Sequence, residues 1–204
     1  MRLERLYRGP VEDQVWKVLI PENVVLKRVY HMARRLQKLI DASQRPVVLA
    51  FIGNGGFWLG YKLAGILSPR GYRWGIMMAS SYGGGQTAGR LQMTLDALGD
   101  VAGCTVIVVD DIFDTGHTMN FLHEYLIHCK KAADVKIAVL LEKPSRKDPN
   151  VAVAPDFVGL VIPNTFVAGC GLDGGEEFGY TRNFPEIRYR DEAPAEPWYT
   201  LPTM

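Results

Sequence analysis

The chain has 204 residues, 48% of them hydrophobic and 22% charged, with a formal net charge of +1. That length suits one domain with a sizeable core. The near-neutral charge supplies no global field for nucleic acid or an anionic membrane, so neither is an expected partner. No apolar run approaches the roughly 18–20 residues that span a bilayer. The opening MRLERLYRGPVEDQVW has no apolar signal core, which leads to a cytoplasmic expectation.

Residues 24–42 place Val25, Val29, Met32, Leu36 and Leu39 at helical spacing on one face, with Arg34, Arg35 and Lys38 elsewhere. The run VVLAFI at 47–52 suits a fully buried strand. It breaks at Gly53-Asn54-Gly55-Gly56, and residues 57–67 read as a helix. A strand is predicted over 74–80, a glycine-rich loop over 80–89 and an alternating edge strand over 91–96. TVIVVD at 105–110 is a buried strand, 117–130 a helix, 135–141 a strand and 157–162 another. From Asp191 to the end the chain is rich in proline and acid and reads as an irregular tail, 191–204.

Strands alternating with helices predict an α/β fold with a mostly parallel twisted sheet flanked by helices. In such sheets ligands lie outside the carboxyl ends of the strands. Gly53-Asn54-Gly55-Gly56, Asp110-Asp111 and Lys143 all stand at such ends and define one candidate site. Cys104, Cys129 and Cys170 are odd in number and contain no CxxC pair, so they are read as buried small apolar residues.

The most informative stretch is VIVVDDIFDTGHTM, residues 106–119. Asp114-Thr115-Gly116-His117-Thr118 lies between a strand and a helix, where orphan backbone N–H groups and the helix dipole favour an anion. Gly116 permits close backbone approach, and the two threonines add hydroxyl donors. The plain alternative is that Asp114 or Thr115 caps the helix. Capping leaves Asp110 and Asp111 unexplained. Paired carboxylates cannot bind phosphate directly, but they suit vicinal ribose hydroxyls or Mg²⁺. An acid pair beside a phosphate cradle describes a phosphorylated ribose.

This segment resembles the phosphoribosyl-diphosphate signature of the type I phosphoribosyltransferases: a hydrophobic run, two acids, two apolar residues, then Asp-Thr-Gly-x-Thr. DFVGLVIPNTFVAGCGLD at 156–173 resembles the purine-binding segment of the hypoxanthine-guanine members. SSYG at 80–83, LLEK at 140–143 and TRNFPEI at 181–187 are similar to their mobile loop, base-recognising lysine and late Arg-Asn-Leu-Pro stretch. The resemblance runs from about Val11 to Ile187. It implies a single phosphoribosyltransferase domain over 1–190, with a small hood from terminal segments at about 1–20 and 155–190.

The resemblance also implies roles. Asp110 and Asp111 would bind the ribose hydroxyls, and the loop from Asp114 to Thr118 the 5-phosphate. Asp114 would be the general base near N7 of the purine. Lys143 would donate to the 6-oxo group, Phe166 would stack on the base and Val167 would meet its edge through backbone. Asn54, Gly55 and Arg182 would contact the diphosphate. Asp173, with Asp110 and Asp111, would hold Mg²⁺, and Ser81 and Tyr82 would begin a loop that closes over the site. The implied reaction is purine salvage: transfer of the phosphoribosyl group from 5-phosphoribosyl 1-diphosphate to hypoxanthine, guanine or xanthine, releasing diphosphate. The implied assembly is a homodimer or homotetramer.

Three features depart from the family pattern. Asn54 replaces the lysine of the usual Leu-Lys-Gly-Gly, the segment 174–181 is longer than usual, and His117 stands where lysine is common. The rival reading is a phosphoribosyltransferase-like regulator that binds nucleotide or RNA with little catalysis. The presence together of Asp114, Lys143, Asp173 and Arg182 weighs against it. Gly83-Gly84-Gly85-Gln86-Thr87-Ala88 lacks the strand–turn–helix setting of a dinucleotide fingerprint. His123-Glu124 with His128 has a spacing that turns the two histidines apart on a helix, against a zinc site.

Overall fold

A computed structural model of the chain describes residues 16–82, 90–175, 180–190 and 199–200, apart from the side chains of residues 81, 82 and 90. Two sheets are present among them. The larger has six strands in the order β4-β3-β2-β5-β6-β7. These are β2 (Val47–Ile52), β3 (Tyr72–Tyr82), β4 (Arg90–Asp96), β5 (Thr105–Phe113), β6 (Asp134–Glu142) and β7 (Phe157–Val161). All neighbours are parallel except the edge pair β3–β4. The smaller sheet is antiparallel, in the order β1-β9-β8, from Lys17–Ile20, Ile187–Tyr189 and Val167–Ala168.

Apolar patterning accounts for the layers. Helix α1 (Glu22–Ala42) buries Val25, Val29, Met32, Ala33, Leu36 and Ile40 in the core on one face of the large sheet. Helix α2 (Gly53–Ala64) buries Leu59 and Leu63 in the same core. Helix α3 (His117–Glu124) covers the opposite face with Met119 and Leu122. β2 is buried along its whole length because it has strands on both edges and helices on both faces.

The predicted α/β architecture is the one observed, and the boundaries differ for physical reasons. The predicted strand 105–110 runs on to Phe113, because β6 continues to pair with it after β2 has stopped. The glycine tetrad, read as a break, is the first turn of α2; this helix ends at Ala64, not Leu67. Helix α3 ends at Glu124, and residues Tyr125–Cys129 form a π-helical turn, with the Lys130 N–H reaching the Tyr125 carbonyl at 3.1 Å. Cys104 and Cys170 are buried as expected, but Cys129 is exposed, since it sits on that surface turn. Thr200 forms an isolated bridge with Val161. The loop at 83–89, residues 1–15 of the expected hood, residues 176–179 of the long segment and most of the tail (191–198 and 201–204) lie outside the described residues.

Candidate active site

The site begins where β2 ends. β5 pairs with β2 as far as Val109, opposite Phe51, and with β6 as far as Phe113, opposite Glu142. Asp110 and Asp111 therefore occupy the carboxyl end of a central strand that is open on one edge. The chain leaves β2 towards β3 on one side, and β5 lies on the other, so this is also the point where strand order reverses. The first turn of α2 fills the opened edge.

That filling requires glycine. A Cβ on Gly55 would lie 1.7 Å from Asp111 Oδ2, and one on Gly56 would lie 2.3 Å from the Val109 carbonyl oxygen. Asp110 Oδ1 accepts from the Asp111 N–H at 2.9 Å. Burial, with the neighbouring Asp111 charge second, pushes the Asp110 carboxyl well above its ordinary range. Burial also raises Asp111, against hydrogen bonds from Asp110 and the Ile112 amide and the charge of Arg182. Two crowded carboxyls favour a ligand that supplies cationic charge or hydroxyl donors.

Downstream, a cavity of about 210 Å³ is lined by the chain from Asp110 to Gly116, with Thr118 and Met119. Gly116 precedes α3 with φ of +86°, and its missing Cβ would strike the Phe113 ring at 2.6 Å. No side chain caps this helix, so the capping alternative for Asp114 and Thr115 does not hold, and the N–H groups of its first turn are left for a ligand. His117 Nε2 lies 3.2 Å from Asp148 Oδ2, and the Asp148 N–H donates to the Thr115 carbonyl at 3.1 Å. Hydrogen bonding from the Asn150 N–H and side chain, with the His117 ring beside it, holds the Asp148 carboxyl below its usual range against the opposing effect of desolvation.

Lys143 follows β6 and is buried, unlike the usual surface lysine. Its N–H donates to the Phe113 carbonyl at 3.0 Å, and its Nζ lies 3.6 Å from Asp114 Oδ2. Burial lowers its ammonium below the ordinary lysine value, while Asp114 pulls the other way. Arg146, which the sequence reading left out, donates from Nε to Asp114 Oδ1 at 2.9 Å. The sequence signal was weak: an arginine three positions after Lys143, in a polar loop.

The remaining residues come from the small-sheet side. Phe166 keeps an exposed ring, with the Trp16 ring 6.1 Å away. Val167 is buried in β8, opposite Tyr189. Asp173 and Arg182 meet each other, Oδ2 to Nη2 at 2.5 Å, and Arg182 also donates to the Gly171 carbonyl at 2.6 Å. Asp173 Oδ1 accepts from the Gly175 N–H at 3.0 Å, so it is a turn residue as well. A Cβ on Gly171 would lie 2.8 Å from the Gly55 carbonyl oxygen, which ties this side to the acidic strand end. Asn54 is exposed on the first turn of α2. Ser81 and Tyr82 close β3, their side chains outside the described residues.

Among the described residues no three His, Cys, Asp or Glu side chains form a metal-holding group. A dedicated protein cage is not what Mg²⁺ needs: it commonly takes one or two carboxylates, keeps its waters and accepts substrate phosphate oxygens. The Asp110–Asp111 pair, whose carboxyls are raised by burial with the charge of Arg182 opposing at Asp111, fits that donor set.

The model of the Phosphoribosyl transferase domain matches residues 24–174. The chain belongs to the phosphoribosyltransferase family. It is similar to the hypoxanthine-guanine phosphoribosyltransferase of Aquifex aeolicus, at 35% identity over 84% of this chain and 92% of that protein. It is 33% identical to the bifunctional protein TilS/HprT of Listeria innocua over 87% of this chain, but spans only 26% of that longer relative. The crystal structure of a hypoxanthine phosphoribosyltransferase from Staphylococcus aureus matches with a TM-score of 0.76 at 27% identity, covering 91% of this chain and 96% of that one. The type I phosphoribosyltransferase fold, with its mostly parallel sheet, is thus the fold of this chain, and the phosphoribosyltransferases it resembles are pentosyl-transferring enzymes of the hypoxanthine type.

Proposed function

We propose that the protein is a purine-salvage enzyme that transfers the phosphoribosyl group of 5-phosphoribosyl 1-diphosphate to a 6-oxopurine, hypoxanthine first. The observation that carries this is the buried Lys143 ammonium 3.6 Å from Asp114 Oδ2, a carboxylate that itself lines the cavity beginning at Asp110. On a purine the 6-oxo oxygen and N7 are neighbours on one edge. A donor and an acceptor at this separation meet both together, the lysine on the oxygen and the carboxylate on the N7 proton.

The other groups follow from the same pose. Asp110 and Asp111 accept from the two ribose hydroxyls, and the uncapped first turn of α3, with Thr115 and Thr118, takes the 5-phosphate. Phe166 stacks on the base, Val167 meets its edge through backbone, and Asn54, Gly55 and Arg182 face the diphosphate. Mg²⁺ would take one or two of the carboxylates of Asp110, Asp111 and Asp173 together with water and substrate oxygens, and would neutralise the leaving diphosphate. In the reaction the C1′–O bond to diphosphate breaks with its electron pair going to oxygen. The bond from C1′ to N9 forms, and the proton on the imidazole ring passes to Asp114. Ser81 and Tyr82, at the end of β3, would help keep water from the ribosyl cation. A single domain over 1–190 with a hood from its terminal segments, a cytoplasmic location and assembly as a dimer or tetramer complete the reading. No described helix is long and apolar enough to cross a membrane.

The test is an assay with hypoxanthine, guanine, xanthine and adenine, each with the diphosphate donor and Mg²⁺. Nucleoside monophosphate is expected with 6-oxopurines, hypoxanthine included, and little with adenine, whose amino group leaves the buried ammonium unpaired. Lys143→Ala should shrink that preference by about 10- to 100-fold. Nucleotide binding without product would favour the regulator instead.

A further inference from the structure

Asp114 has two oxygens, and the reading above uses only one. Oδ2 points towards Lys143 at 3.6 Å, while Oδ1 accepts from Arg146 Nε at 2.9 Å. Arg146 ends a 3-10 turn, Pro144–Arg146, that opens with proline and is closed by the Arg146 N–H on the Lys143 carbonyl at 2.9 Å. The same stretch is fastened to the signature loop at both ends, through Lys143 N–H to Phe113 and Asp148 N–H to Thr115. The arginine is thus mounted on the same short scaffold as the lysine and aimed at the same carboxylate.

We propose that Arg146 is the positioning residue that fixes which oxygen of Asp114 faces the purine and keeps the Asp114–Lys143 ion pair from closing beyond its observed 3.6 Å. This rests on the phosphoribosyl-transfer reading. The physical problem is a mutual collapse. A carboxylate and an ammonium one side chain apart close readily into a direct ion pair, and each is then withdrawn from the base edge. A guanidinium presents its N–H donors in fixed directions, and a charge-assisted bond to Oδ1 defines the carboxylate plane. That bond holds Oδ2 at the observed 3.6 Å from Nζ, wide enough for the oxygen and N7 of the base to be met separately. The other charges around this corner are accounted for locally: Asp148 pairs with His117, while Lys147 acts on Glu142.

Folding does not explain the contact. The Arg146 side chain is 46% exposed and that of Asp114 35%, and exposed ion pairs contribute little to stability. A purely structural role would appear as a loss of Tm with kinetics unchanged.

The experiment compares Arg146→Gln, Arg146→Lys, Asp114→Asn and the double variant Asp114→Asn with Arg146→Gln, using hypoxanthine and the diphosphate donor. Arg146→Gln is expected to lower kcat by about 10- to 100-fold, the scale of a misplaced reacting group, with the donor KM and Tm held near wild type. Arg146→Lys should restore part of the loss. In the Asp114→Asn background, Arg146→Gln should add no further loss, because the group it positions is already gone. Equal fold losses in both backgrounds, or a raised donor KM at unchanged kcat, would overturn the proposal. A wild-type protein that transfers to no 6-oxopurine overturns the parent reading and this one with it. An active wild type with additive variants overturns this one alone.

Discussion

The acidic strand end and the small-sheet side carry the residues of the proposed site by different means. From Asp110 to Thr118 nine consecutive residues carry the carboxyl pair, the left-handed glycine and the uncapped helix start. Across from them, Phe166, Asp173 and Arg182 come from separate segments and are held by a two-residue strand, a turn and a mutual ion pair. The first region is built into the central sheet, so its geometry is enforced by the fold. The second is enforced by a few polar contacts, and its residues occupy one another when no ligand competes. The proposed site would then have a rigid wall and an adjustable one.

The sharpest way to break the comparison is at the rigid wall, with two neighbouring glycines. In Gly55→Ala the new methyl meets the end of the Asp111 side chain, which can swing away at small cost to the fold. Displacing that carboxyl should lower kcat/KM by about 100-fold, as misplacement by about an ångström does. In Gly56→Ala the methyl meets the Val109 backbone oxygen, which cannot swing. Overpacking of that kind costs about 1–3 kcal/mol, so a clear fall in Tm is expected. Steady-state kinetics and thermal melts on both variants decide it. If both lose only stability, Asp111 is not held where the site needs it.

A smaller effect is expected on the adjustable wall. Arg182→Gln removes the partner of Asp173 and the bond to Gly171, both partly exposed. The loss of folding stability should stay within about 1 kcal/mol. The KM for the diphosphate donor should rise by about 10-fold, the factor that roughly 1.4 kcal/mol of lost contact gives. Initial rates against donor concentration, with a melt on the same sample, test both halves. A large fall in Tm with unchanged KM would mean that this ion pair serves the fold rather than the ligand.

The same contrast explains what could be read from the sequence. The strands β2, β5 and β6 and helix α1 are runs of six or more residues with buried or periodic apolar character, and they were placed within a few residues. The signature is contiguous, so its residue types and spacing stood together on the page. Strands β8 and β9, at two and three residues, carry no period to detect, and they pair across long separations. Trp16 packing near Phe166 and Arg146 reaching Asp114 are contacts between segments whose neighbourhood exists only after folding. The glycine tetrad misled for a related reason. Its composition says turn, while its place against Asp111 and Val109 makes it the start of a helix that only glycine could bring so close.

The gentlest probe asks what the rigid wall costs the fold. Burial and the Asp111 charge hold the Asp110 carboxyl well above its ordinary value of 3.8, so the native chain binds this proton more tightly than the unfolded chain does. That contribution to stability is fully present below the ordinary value and is lost as pH rises through the raised native one. Above that raised value the ligand-free fold carries a crowded buried charge. Asp110→Asn removes it while keeping an oxygen for the Asp111 N–H, and it should raise the ligand-free Tm by about 2–4 °C, the shift that about 1 kcal/mol gives a chain of this size. The gap between variant and wild type should widen from near pH 4 towards neutrality, although the variant loses the carboxylate proposed for the ribose. Melts across that range measure it. A gap that narrows with rising pH would mean the Asp110 carboxylate is stabilised in the fold, and the wall would then be a scaffold element rather than a strained one kept for its ligand.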